Sequence, residues 1–370
     1  MDLSAAFDTL SKEVVCKKLS AYGLDKTSVK WVNSYLSDRS QQVMIGSTLS
    51  KPTKLNVGSP QGSILSPTIF IILLSDIELW CPGANLCGYA DDTTVTVASK
   101  NTTTLKENCE EKVKELLTYM AINKLSANDD KTKVLVIKHG KVDNQLSFKF
   151  GDAEIQESTD EKLLGVWVSN DLNWSEHIGK LEDDLSFRLY TLRKLEQSVP
   201  KSLLKKVADG IFNSLLRYGL GIFCPIRTKE ADPIPSSING IRVQFNNLLR
   251  LLCNSKRNQH TSINSMLKKL GWLSVNQMAC EVRLIETWKA LHVEDYCLRD
   301  IFERVQATRD TRSANKVRLK TSFKTRIREA SFQLPSVELW NNAPPEITEA
   351  KTESQAKAAI RKFVKQSIPI

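Results

Sequence analysis

The sequence contains the segment Asn85-Leu86-Cys87-Gly88-Tyr89-Ala90-Asp91-Asp92-Thr93-Thr94-Val95-Thr96-Val97, in which two adjacent carboxylates lie between two short apolar and β-branched runs. This pattern predicts a β-hairpin with Asp91 and Asp92 at its turn. Consecutive side chains of a strand point to opposite faces, so a turn is what lets both carboxylates approach one point. Two like charges held together need a cation, and oxygen-only ligands suit a hard ion such as Mg²⁺, which gains further ligands from phosphates.

The length of 370 residues gives room for two or three domains and a substantial core. We expect an intracellular protein, nuclear or cytoplasmic and not secreted, because no segment resembles a secretory signal and the longest apolar run, 68–74, is too short to span a bilayer. The eight cysteines show no Cys-x-x-Cys pair and no histidine at zinc-finger spacing. This spacing predicts reduced thiols rather than disulfides or a zinc site.

The net charge of +10 is spread unevenly along the chain. Residues 201–270 carry twelve Lys and Arg against three Asp and Glu, and residues 301–370 carry a net charge of +7. Basic blocks of this kind indicate a partner with a polyanionic backbone. The alternative for either block is a solvated helical face that happens to be basic.

The hydrophobic pattern predicts an α+β fold in which helices back an antiparallel sheet. The predicted elements are a helix after Ser11, a helix over 25–36, a hairpin around Gly46-Ser47, an apolar helix over about 66–79, the hairpin at 85–98, a helix over 103–123, and strands at 134–137 and 146–150. From Ser175 onward the pattern is almost continuously helical. We therefore place domain boundaries near 175 and, more weakly, near 300.

Asp2 is a third candidate carboxylate, because it lies at the end of a predicted strand. If that strand pairs beside the central hairpin, Asp2 faces Asp91 and the two hold a pair of metal ions. Two metals about 3.5–4 Å apart activate a 3′-hydroxyl and stabilise a leaving pyrophosphate, which is the chemistry of nucleotidyl transfer. Taken singly, each of these aspartates is more simply explained as a cap or turn residue.

Two further features support a nucleotide site. The loop Gly58-Ser59-Pro60-Gln61-Gly62-Ser63 combines glycines, which let the backbone approach a ligand, with Gln61, which can hydrogen-bond a base or sugar edge. Phe7 is placed to lie under the sugar of a nucleotide, where its ring would clash with a 2′-hydroxyl. The alternatives are a plain turn before a helix and an aromatic ring packed under the sheet.

The order of these segments resembles that of the reverse transcriptase family. The resemblance to motifs A, B and C is carried by Asp2-Leu3-Ser4-Ala5-Ala6-Phe7-Asp8, Gly58-Ser59-Pro60-Gln61-Gly62-Ser63-Ile64-Leu65-Ser66-Pro67 and Tyr89-Ala90-Asp91-Asp92. Residues 123–132 resemble motif D, and Leu163-Leu164-Gly165-Val166-Trp167 with 172–178 resembles a downstream signature of non-LTR (LINE-type) retrotransposons. The tail from Ser331 to Pro344 resembles jockey-like members. One departure is Ser59, where relatives usually carry an apolar residue.

The resemblance implies an RNA-directed DNA polymerase that uses two Mg²⁺ ions, with Mn²⁺ a possible substitute. It implies that Asp2, Asp91 and Asp92 are the catalytic metal ligands. It implies substrate contacts for Phe7, Gln61, Gly62 and Tyr89, and a catalytic proton-donor role for Lys131 toward the leaving pyrophosphate. The alternative for Lys131 is an ordinary surface lysine. The implied partners are an RNA template, a DNA primer and deoxynucleoside triphosphates.

The resemblance also implies a right-hand polymerase architecture, with a palm at 1–175, a helical thumb and connection at 176–300 and a basic C-terminal region at 301–370. Family members carry fingers before motif A and usually an endonuclease upstream, whereas this chain begins one residue before Asp2. We therefore expect a truncated enzyme whose first strand has lost most of its N-terminal half, which leaves the backbone partners of that strand unpaired and Asp2 poorly fixed, and we expect weak or absent activity. The alternatives are a catalytically inactive nucleic-acid-binding remnant and, more weakly, a group II intron maturase.

Overall fold

The computed structural model describes residues 1–138, 145–233, 235–255, 259, 261–304, 316–319 and 332–370. The chain divides into two compact units, Met1–Glu161 and Lys162–Ile370. Part of the predicted basic C-terminal region, including Ser331 of the jockey-like tail, lies outside the described residues.

The N-terminal unit mixes short strands with helices. Its elements are β1 (Asp2–Leu3), α1 (Ala6–Thr9), α2 (Lys12–Ala21), α3 (Lys26–Leu36), β2 (Arg39–Gln41), β3 (Met44–Ile45), β4 (Thr48–Leu49), β5 (Thr53–Leu55), α4 (Leu65–Leu74), α5 (Ile77–Trp80), β6 (Asn85–Tyr89), β7 (Asp92–Thr96), α6 (Thr102–Ile122), β8 (Ala127–Asn128), β9 (Val134–Leu135), β10 (Ser147–Phe150) and β11 (Ala153–Ser158). The strand β12 (Asp160–Leu163) follows and pairs with β13 (Val166–Ser169).

The helices of this unit begin and end close to the predicted positions. Asp25 caps α3 by accepting hydrogen bonds from the backbone N–H groups of Thr27 and Ser28 at 2.8 and 3.1 Å. Ser11 precedes α2 in extended backbone, but its side chain makes no capping bond to the helix. The predicted apolar helix over 66–79 is divided into α4 and α5.

The strands form small sheets rather than one continuous antiparallel sheet. The segment after α3 forms two nested antiparallel pairs, β2 with β5 and β3 with β4. The strand β11 pairs antiparallel with β10 and parallel with β9. The helices and small antiparallel sheets agree with the predicted α+β class, and the parallel pairing of β9 is a detail that the hydrophobic pattern of a strand does not reveal.

A buried cluster holds the first helices of the unit to α4 and α6. Its buried members are Leu3, Ala6, Leu10, Val15, Leu19, Leu36, Ile69, Phe70, Leu73, Tyr119, Met120 and Leu125. At its edge the ammonium of Lys18 lies 2.5 Å from Asp76 Oδ1, to which the hydroxyl of Tyr119 also donates at 2.6 Å. Burial alone would raise the pKa of Asp76, but the hydrogen bonds from Lys18 and Tyr119 outweigh it and leave that pKa below its ordinary value.

The C-terminal unit is mostly helical. Its helices are α7 (Ser175–Leu195), α8 (Lys201–Ala208), α9 (Ser214–Arg217), α10 (Leu220–Phe223), α11 (Asn239–Cys253), α12 (Ile263–Leu270), α13 (Val275–His292), α14 (Gln333–Asn341), α15 (Pro345–Thr348) and α16 (Glu353–Ser367), and its strands are β14 (Phe302–Arg304) and β15 (Val317–Leu319). A π-helical turn, Asp209–Asn213, joins α8 to α9. One core spans the unit, from Ile178 of α7 to Ile368 just after α16. The helices α14 to α16 therefore share the core of the preceding helices.

The turn between β12 and β13 is strained at Leu164, a non-glycine residue in the left-handed conformation. Leu164 and Gly165 form its two central positions with φ values of 46° and 88°, the pattern of a type I′ turn. The hydroxyl of Tyr218 donates a hydrogen bond to the carbonyl of Leu164, and an ideal Cβ at Gly165 would lie 3.2 Å from the Tyr218 ring. Tyr218 thus fixes the backbone of this turn.

All eight cysteines lie in described parts of the chain and carry free thiols. No helix in those parts is both long enough and apolar enough to cross a membrane.

Candidate active site

Two backbone hydrogen bonds set Asp2 beside the central hairpin. The amino group of Met1 donates to the Thr93 carbonyl at 2.7 Å, and the Thr93 N–H donates to the Met1 carbonyl at 3.1 Å. Two residues that exchange hydrogen bonds in this way form an antiparallel pair. The residue after Met1, Asp2, and the residue before Thr93, Asp92, therefore lie opposite each other. Side chains of directly opposite residues point to the same face, with Cβ atoms about 5 Å apart.

The hairpin forms as the sequence predicts. Strands β6 and β7 pair from Asn85↔Thr96 to Tyr89↔Asp92, which leaves Ala90 and Asp91 as a two-residue loop. Ala90 has a φ of 54°, a left-handed conformation at the first central position of the loop. Asp92, rather than Asp91, is therefore the residue opposite Asp2, and Asp91 precedes it at the tip.

The other edge of β1 is also paired. Asp2 lies opposite Asn128 of β8, and its N–H donates to Thr132 Oγ1 at 3.5 Å. The Ser4 N–H extends the pairing by donating to the Ser126 carbonyl at 2.8 Å. The strand β1 is therefore paired at both edges, by β7 through Met1 and by β8 through Asp2 and Leu3.

The turn after β8 brings a lysine to the carboxylate. The backbone N–H of Lys131 donates to Asn128 Oδ1 at 3.2 Å, and Thr132 donates to the Asn128 carbonyl from its N–H at 2.9 Å. This places Lys131 Nζ 3.4 Å from Asp2 Oδ2, with the Asp2 side chain 21% exposed and the Lys131 side chain 69% exposed. The solvated side chain of Lys131 is thus free to move, whereas strand pairing holds the Asp2 carboxylate in place.

A second positive group faces the same carboxylates. Burial lowers the pKa of the Met1 amino group, while the charges of Asp92 and Asp2 act in the opposite direction. Lys131 and the Met1 amino group are thus the counter-charges that lie beside the opposed carboxylates of Asp2 and Asp92 in this structure.

Phe7 lies between the site and the core. It is half-buried, and its ring centroid lies 5.0 Å from that of the buried Phe70 in α4. The Phe7 ring therefore packs against the core cluster, and part of the ring stays accessible.

The glycine loop is tied to the segment that carries Phe7. The N–H of the buried Ser59 donates to the Phe7 carbonyl at 2.8 Å, and the Gly58 N–H donates to the Leu10 carbonyl at 2.8 Å. Gly58 has a φ of 87°, and a Cβ there would lie 2.7 Å from the Asp8 carbonyl oxygen. The Ser59 hydroxyl lies 3.5 Å from the Phe7 carbonyl oxygen, which gives this unusual polar residue a partner.

Gln61, Gly62 and Tyr89 all present exposed groups. Gln61 Nε2 donates to Asp8 Oδ1 at 2.9 Å, and Tyr89 is 68% exposed opposite Asp92. Asp8, Asn128 and Thr132 are positioning residues that the sequence did not indicate. Asp8 lies within the motif A segment and Asn128 and Thr132 lie within the motif D segment, but their partners depend on pairings that local sequence does not reveal.

The donor set agrees in kind with a hard divalent ion, since every candidate ligand is a carboxylate oxygen. The described residues contain no group of three or more His, Cys, Asp and Glu side chains arranged to hold a metal ion. What the chain itself provides is the opposed pair Asp2 and Asp92, with Asp91 adjacent at the hairpin tip.

Residues 1–168 match the family described as reverse transcriptase (RNA-dependent DNA polymerase). The chain is 27% identical over 77 residues to the retrovirus-related Pol polyprotein from type-1 retrotransposable element R2 of Popillia japonica, a match covering 21% of this chain and 13% of that protein. It is 22% identical over 204 residues to the RNA-directed DNA polymerase from mobile element jockey of Drosophila melanogaster, a match covering 52% of this chain and 22% of that protein. The chain thus spans about a fifth or less of these relatives.

The matched region contains the strand pairing, the glycine loop, the hairpin and Lys131. Reverse transcriptases as a family act with divalent metal ions on a nucleic-acid template and nucleoside triphosphates. Residues 1–168 of this chain are therefore similar to the reverse transcriptase (RNA-dependent DNA polymerase) family, and the proteins that the chain resembles are polymerases of non-LTR retrotransposons.

Proposed function

We propose that this chain carries out RNA-templated DNA synthesis by two-metal nucleotidyl transfer. The observation that supports this most is the opposition of Asp2 and Asp92, which brings together carboxylates from two distant parts of the sequence within the matched region. Asp92 lies at the end of a hairpin that exposes Tyr89 and Ala90 to solvent, and Asp2 lies opposite Asp92 on the neighbouring strand.

Asp2, Asp91 and Asp92 would hold two Mg²⁺ ions, with Mn²⁺ able to substitute. Bound there, the ions would activate the primer 3′-hydroxyl and stabilise the leaving pyrophosphate. The role of the chain is to fix the carboxylates before substrate arrives, and the two-sided pairing of β1 does this for Asp2.

Lys131 would donate a proton to the pyrophosphate as it leaves. Its ammonium lies beside Asp2, and its exposed stem lets it swing from the carboxylate to a phosphate oxygen. A charged donor at this position would also stabilise the negative charge that develops on the leaving group.

Phe7, Gln61, Gly62 and Tyr89 would contact the incoming nucleotide or the template. The half-buried ring of Phe7, held by Phe70 behind it, would disfavour a 2′-hydroxyl and so select deoxynucleotides. Gln61, held by Asp8, would present its amide oxygen to a base or sugar edge.

The basic helices after residue 175 would bind the backbone of an RNA–DNA hybrid formed by template and primer. Contacts of this kind read charge and groove shape rather than sequence. In this proposal the residues up to about 300 act as a thumb and connection, and those beyond act as a basic nucleic-acid-binding region in an intracellular protein.

Primer extension by the full chain tests the proposal. The assay uses an oligo(dT) primer on a poly(rA) template with dTTP and Mg²⁺. We expect incorporation that requires the metal and that falls by roughly a hundredfold or more in Asp91→Asn, since a metal ligand supplies several kcal/mol of transition-state stabilisation. Asp130→Asn is the matched control, because Asp130 is exposed and lies close to Lys131 in sequence.

Equal incorporation by Asp91→Asn and the parent chain would contradict the two-metal site. Absence of metal-dependent incorporation together with retained hybrid binding would favour the nucleic-acid-binding remnant instead.

A further inference from the structure

The segment between α3 and the glycine loop projects from the N-terminal unit as a β-ribbon, which we call the arm (residues 39–55). Its strands are the two nested pairs, β2 with β5 at the root and β3 with β4 at the tip. Every residue from Ser40 to Lys54 is exposed. A strand rises about 3.3 Å per residue, so residues 39–45 carry the tip about 20 Å from the root.

Hydrogen bonds keep the two strands of the arm together between root and tip. The Val43 N–H donates to Ser50 Oγ at 2.9 Å, and the Ser50 N–H donates to the Val43 carbonyl at 2.9 Å. Gln42 then faces two residues, Lys51 and Pro52, which is the count of a β-bulge. The arm is therefore one ribbon, and both of its faces are open to solvent in the described chain.

The tip of the arm is apolar on both faces. Met44 is 69% exposed and pairs with Leu49, which is also exposed. Ile45 follows Met44 in the strand, points to the opposite face and is 78% exposed. An antiparallel ribbon commonly packs one apolar face on a core and leaves a polar face in water. Apolar side chains on both faces of a free tip therefore indicate a partner that surrounds the tip.

The stem of the arm is basic. Residues 39–57 contain Arg39, Lys51 and Lys54 and no Asp or Glu. Lys51 and Lys54 are exposed, and neither forms an ion pair with another residue of the described chain. Charge of one sign along the stem is complementary to a polyanionic backbone, and it repels the arm of a second copy of this chain.

The root of the arm is fixed to the glycine loop. Arg39 Nη2 donates to the Val57 carbonyl at 2.9 Å and also to the Gly58 carbonyl. In the same loop, the Ser59 N–H donates to the Phe7 carbonyl at 2.8 Å. The arm therefore starts at the loop that the proposed function assigns to the template and the incoming nucleotide.

We propose that the arm binds base-paired RNA and inserts its tip between neighbouring bases, which unstacks them beside the candidate active site. Lys51 and Lys54 would follow the phosphate backbone, and Met44, Ile45 and Leu49 would enter the base stack. The choice of RNA rests on the proposed function, whereas the geometry and charge of the arm do not.

The chemistry of the arm favours this ligand over a protein or a DNA duplex. Proteins that kink nucleic acids insert side chains such as Leu, Ile and Met between base steps and place basic residues nearby. The energetic centres of protein interfaces are enriched in Trp, Tyr and Arg, and residues 40–54 contain none of these. The minor groove of RNA is wide and shallow. That of B-DNA is about 6 Å wide, too narrow for two strands about 4.8 Å apart with their side chains.

The fluorescence of 2-aminopurine tests the inserted tip with the full chain. The probe is an RNA duplex with one internal 2-aminopurine, whose emission rises when the base loses its stacking neighbours. We expect the parent chain at saturation to raise the emission and Ile45→Ser to lose at least about half of that rise. Leu79→Ser is the matched control, because Leu79 is an exposed leucine of the same unit outside the arm.

The salt dependence of affinity for the same duplex, measured by fluorescence anisotropy, tests the basic stem. We expect Lys54→Gln to weaken binding a few-fold and to lower the slope of log affinity against log salt by about one, because one phosphate contact is lost. Lys17→Gln is the matched control, because Lys17 is an exposed lysine of α2 outside the arm. Equal slopes for these two variants would show that the stem does not contact phosphate and would overturn the inference.

No rise in emission with the parent chain, or equal losses in Ile45→Ser and Leu79→Ser, would also overturn it. A parent chain that sediments as a dimer and an Ile45→Ser chain that sediments as a monomer would replace RNA by a second copy at the tip. An equal rise with a DNA duplex of the same sequence would overturn the choice of RNA.

The inference and the proposed function fail separately. Unchanged emission with Ile45→Ser, in a preparation whose parent chain incorporates nucleotide, would overturn the role of the arm and leave the proposed function intact. A parent chain that does not incorporate nucleotide, but whose emission rise is lost in Ile45→Ser, would do the reverse.

Discussion

Lys131 Nζ lies 3.4 Å from Asp2 Oδ2, although most of the N-terminal unit separates the two residues in sequence. The contact exists because β1 pairs with β8 and the turn after β8 folds back over that pair. The first metal-ligand candidate and the proton-donor candidate are therefore positioned by the same strand pairing.

Replacement of Lys131 by glutamine should slow nucleotide incorporation by roughly a hundredfold, the lower part of the range for loss of a general acid. The rate of single-turnover incorporation measures this. Lys133→Gln is the matched control, because Lys133 is an exposed lysine two positions further along. A Lys131→Gln variant that retains the parent rate would show that this lysine only neutralises Asp2.

Replacement of Asp76 by asparagine should lower the free energy of unfolding at pH 7 by about 2 kcal/mol, because Asp76 accepts hydrogen bonds from a charged lysine and from Tyr119. The pKa of Asp76 is lowered in the folded protein, so its contribution is complete above the unfolded pKa of about 4 and is lost as the pH falls through the lower folded value.

Urea denaturation of parent and Asp76→Asn at pH 7 and at acidic pH checks this sign, and the difference between them should shrink at acidic pH. The comparison is Tyr119→Phe, which removes one of the two donors but leaves the ion pair with Lys18, and should therefore reduce the pH dependence without abolishing it. A difference that grew on acidification would contradict the prediction.

Replacement of Gly58 by alanine should destabilise the N-terminal unit by about 2 kcal/mol, the scale of a strained backbone residue. The added Cβ would lie 2.7 Å from the Asp8 carbonyl oxygen, so the glycine loop would have to move away from the segment that carries Phe7. Gly46→Ala is the control, since Gly46 also has a positive φ but no atom within 4 Å of the added Cβ. Urea denaturation compares them, and equal losses would show that backbone strain alone accounts for the effect.

Replacement of Leu164 by asparagine should raise the free energy of unfolding by about 1 kcal/mol, because asparagine tolerates the left-handed conformation that leucine adopts here with strain. The hydrogen bond from Tyr218 uses the backbone carbonyl and is retained. Leu163→Asn serves as control, because Leu163 is similarly exposed but its φ is not positive. Thermal unfolding measures both, and a stabilising effect at Leu163 as large as that at Leu164 would contradict the explanation.

The sequence predicted the elements around the site well where the signal is local. The hairpin at Asp91 and Asp92 follows from alternation around a turn, and the helix over 25–36 follows from apolar and aromatic residues at helical spacing. The free thiols and the positions of α3 and α6 also agree with their predictions.

What the sequence could not supply is which strands meet. The identity of the residue opposite Asp2 depends on the register between β1 and β7, and a shift by one residue would have replaced Asp92 by another. The roles of Asp8 and Asn128 depend on long-range contacts in the same way.

The double pairing of β1 also constrains how the molecule is made. Met1 bonds to Thr93 and Asp2 to Thr132, across 92 and 130 positions of the chain. Closing loops of that length carries an entropic cost that local helices do not bear, so these contacts form late. During synthesis, Asp2 therefore lacks its partner Thr132 until residue 132 has left the ribosome. In that interval Asp2 is accessible to a chaperone or to an early-folding helix.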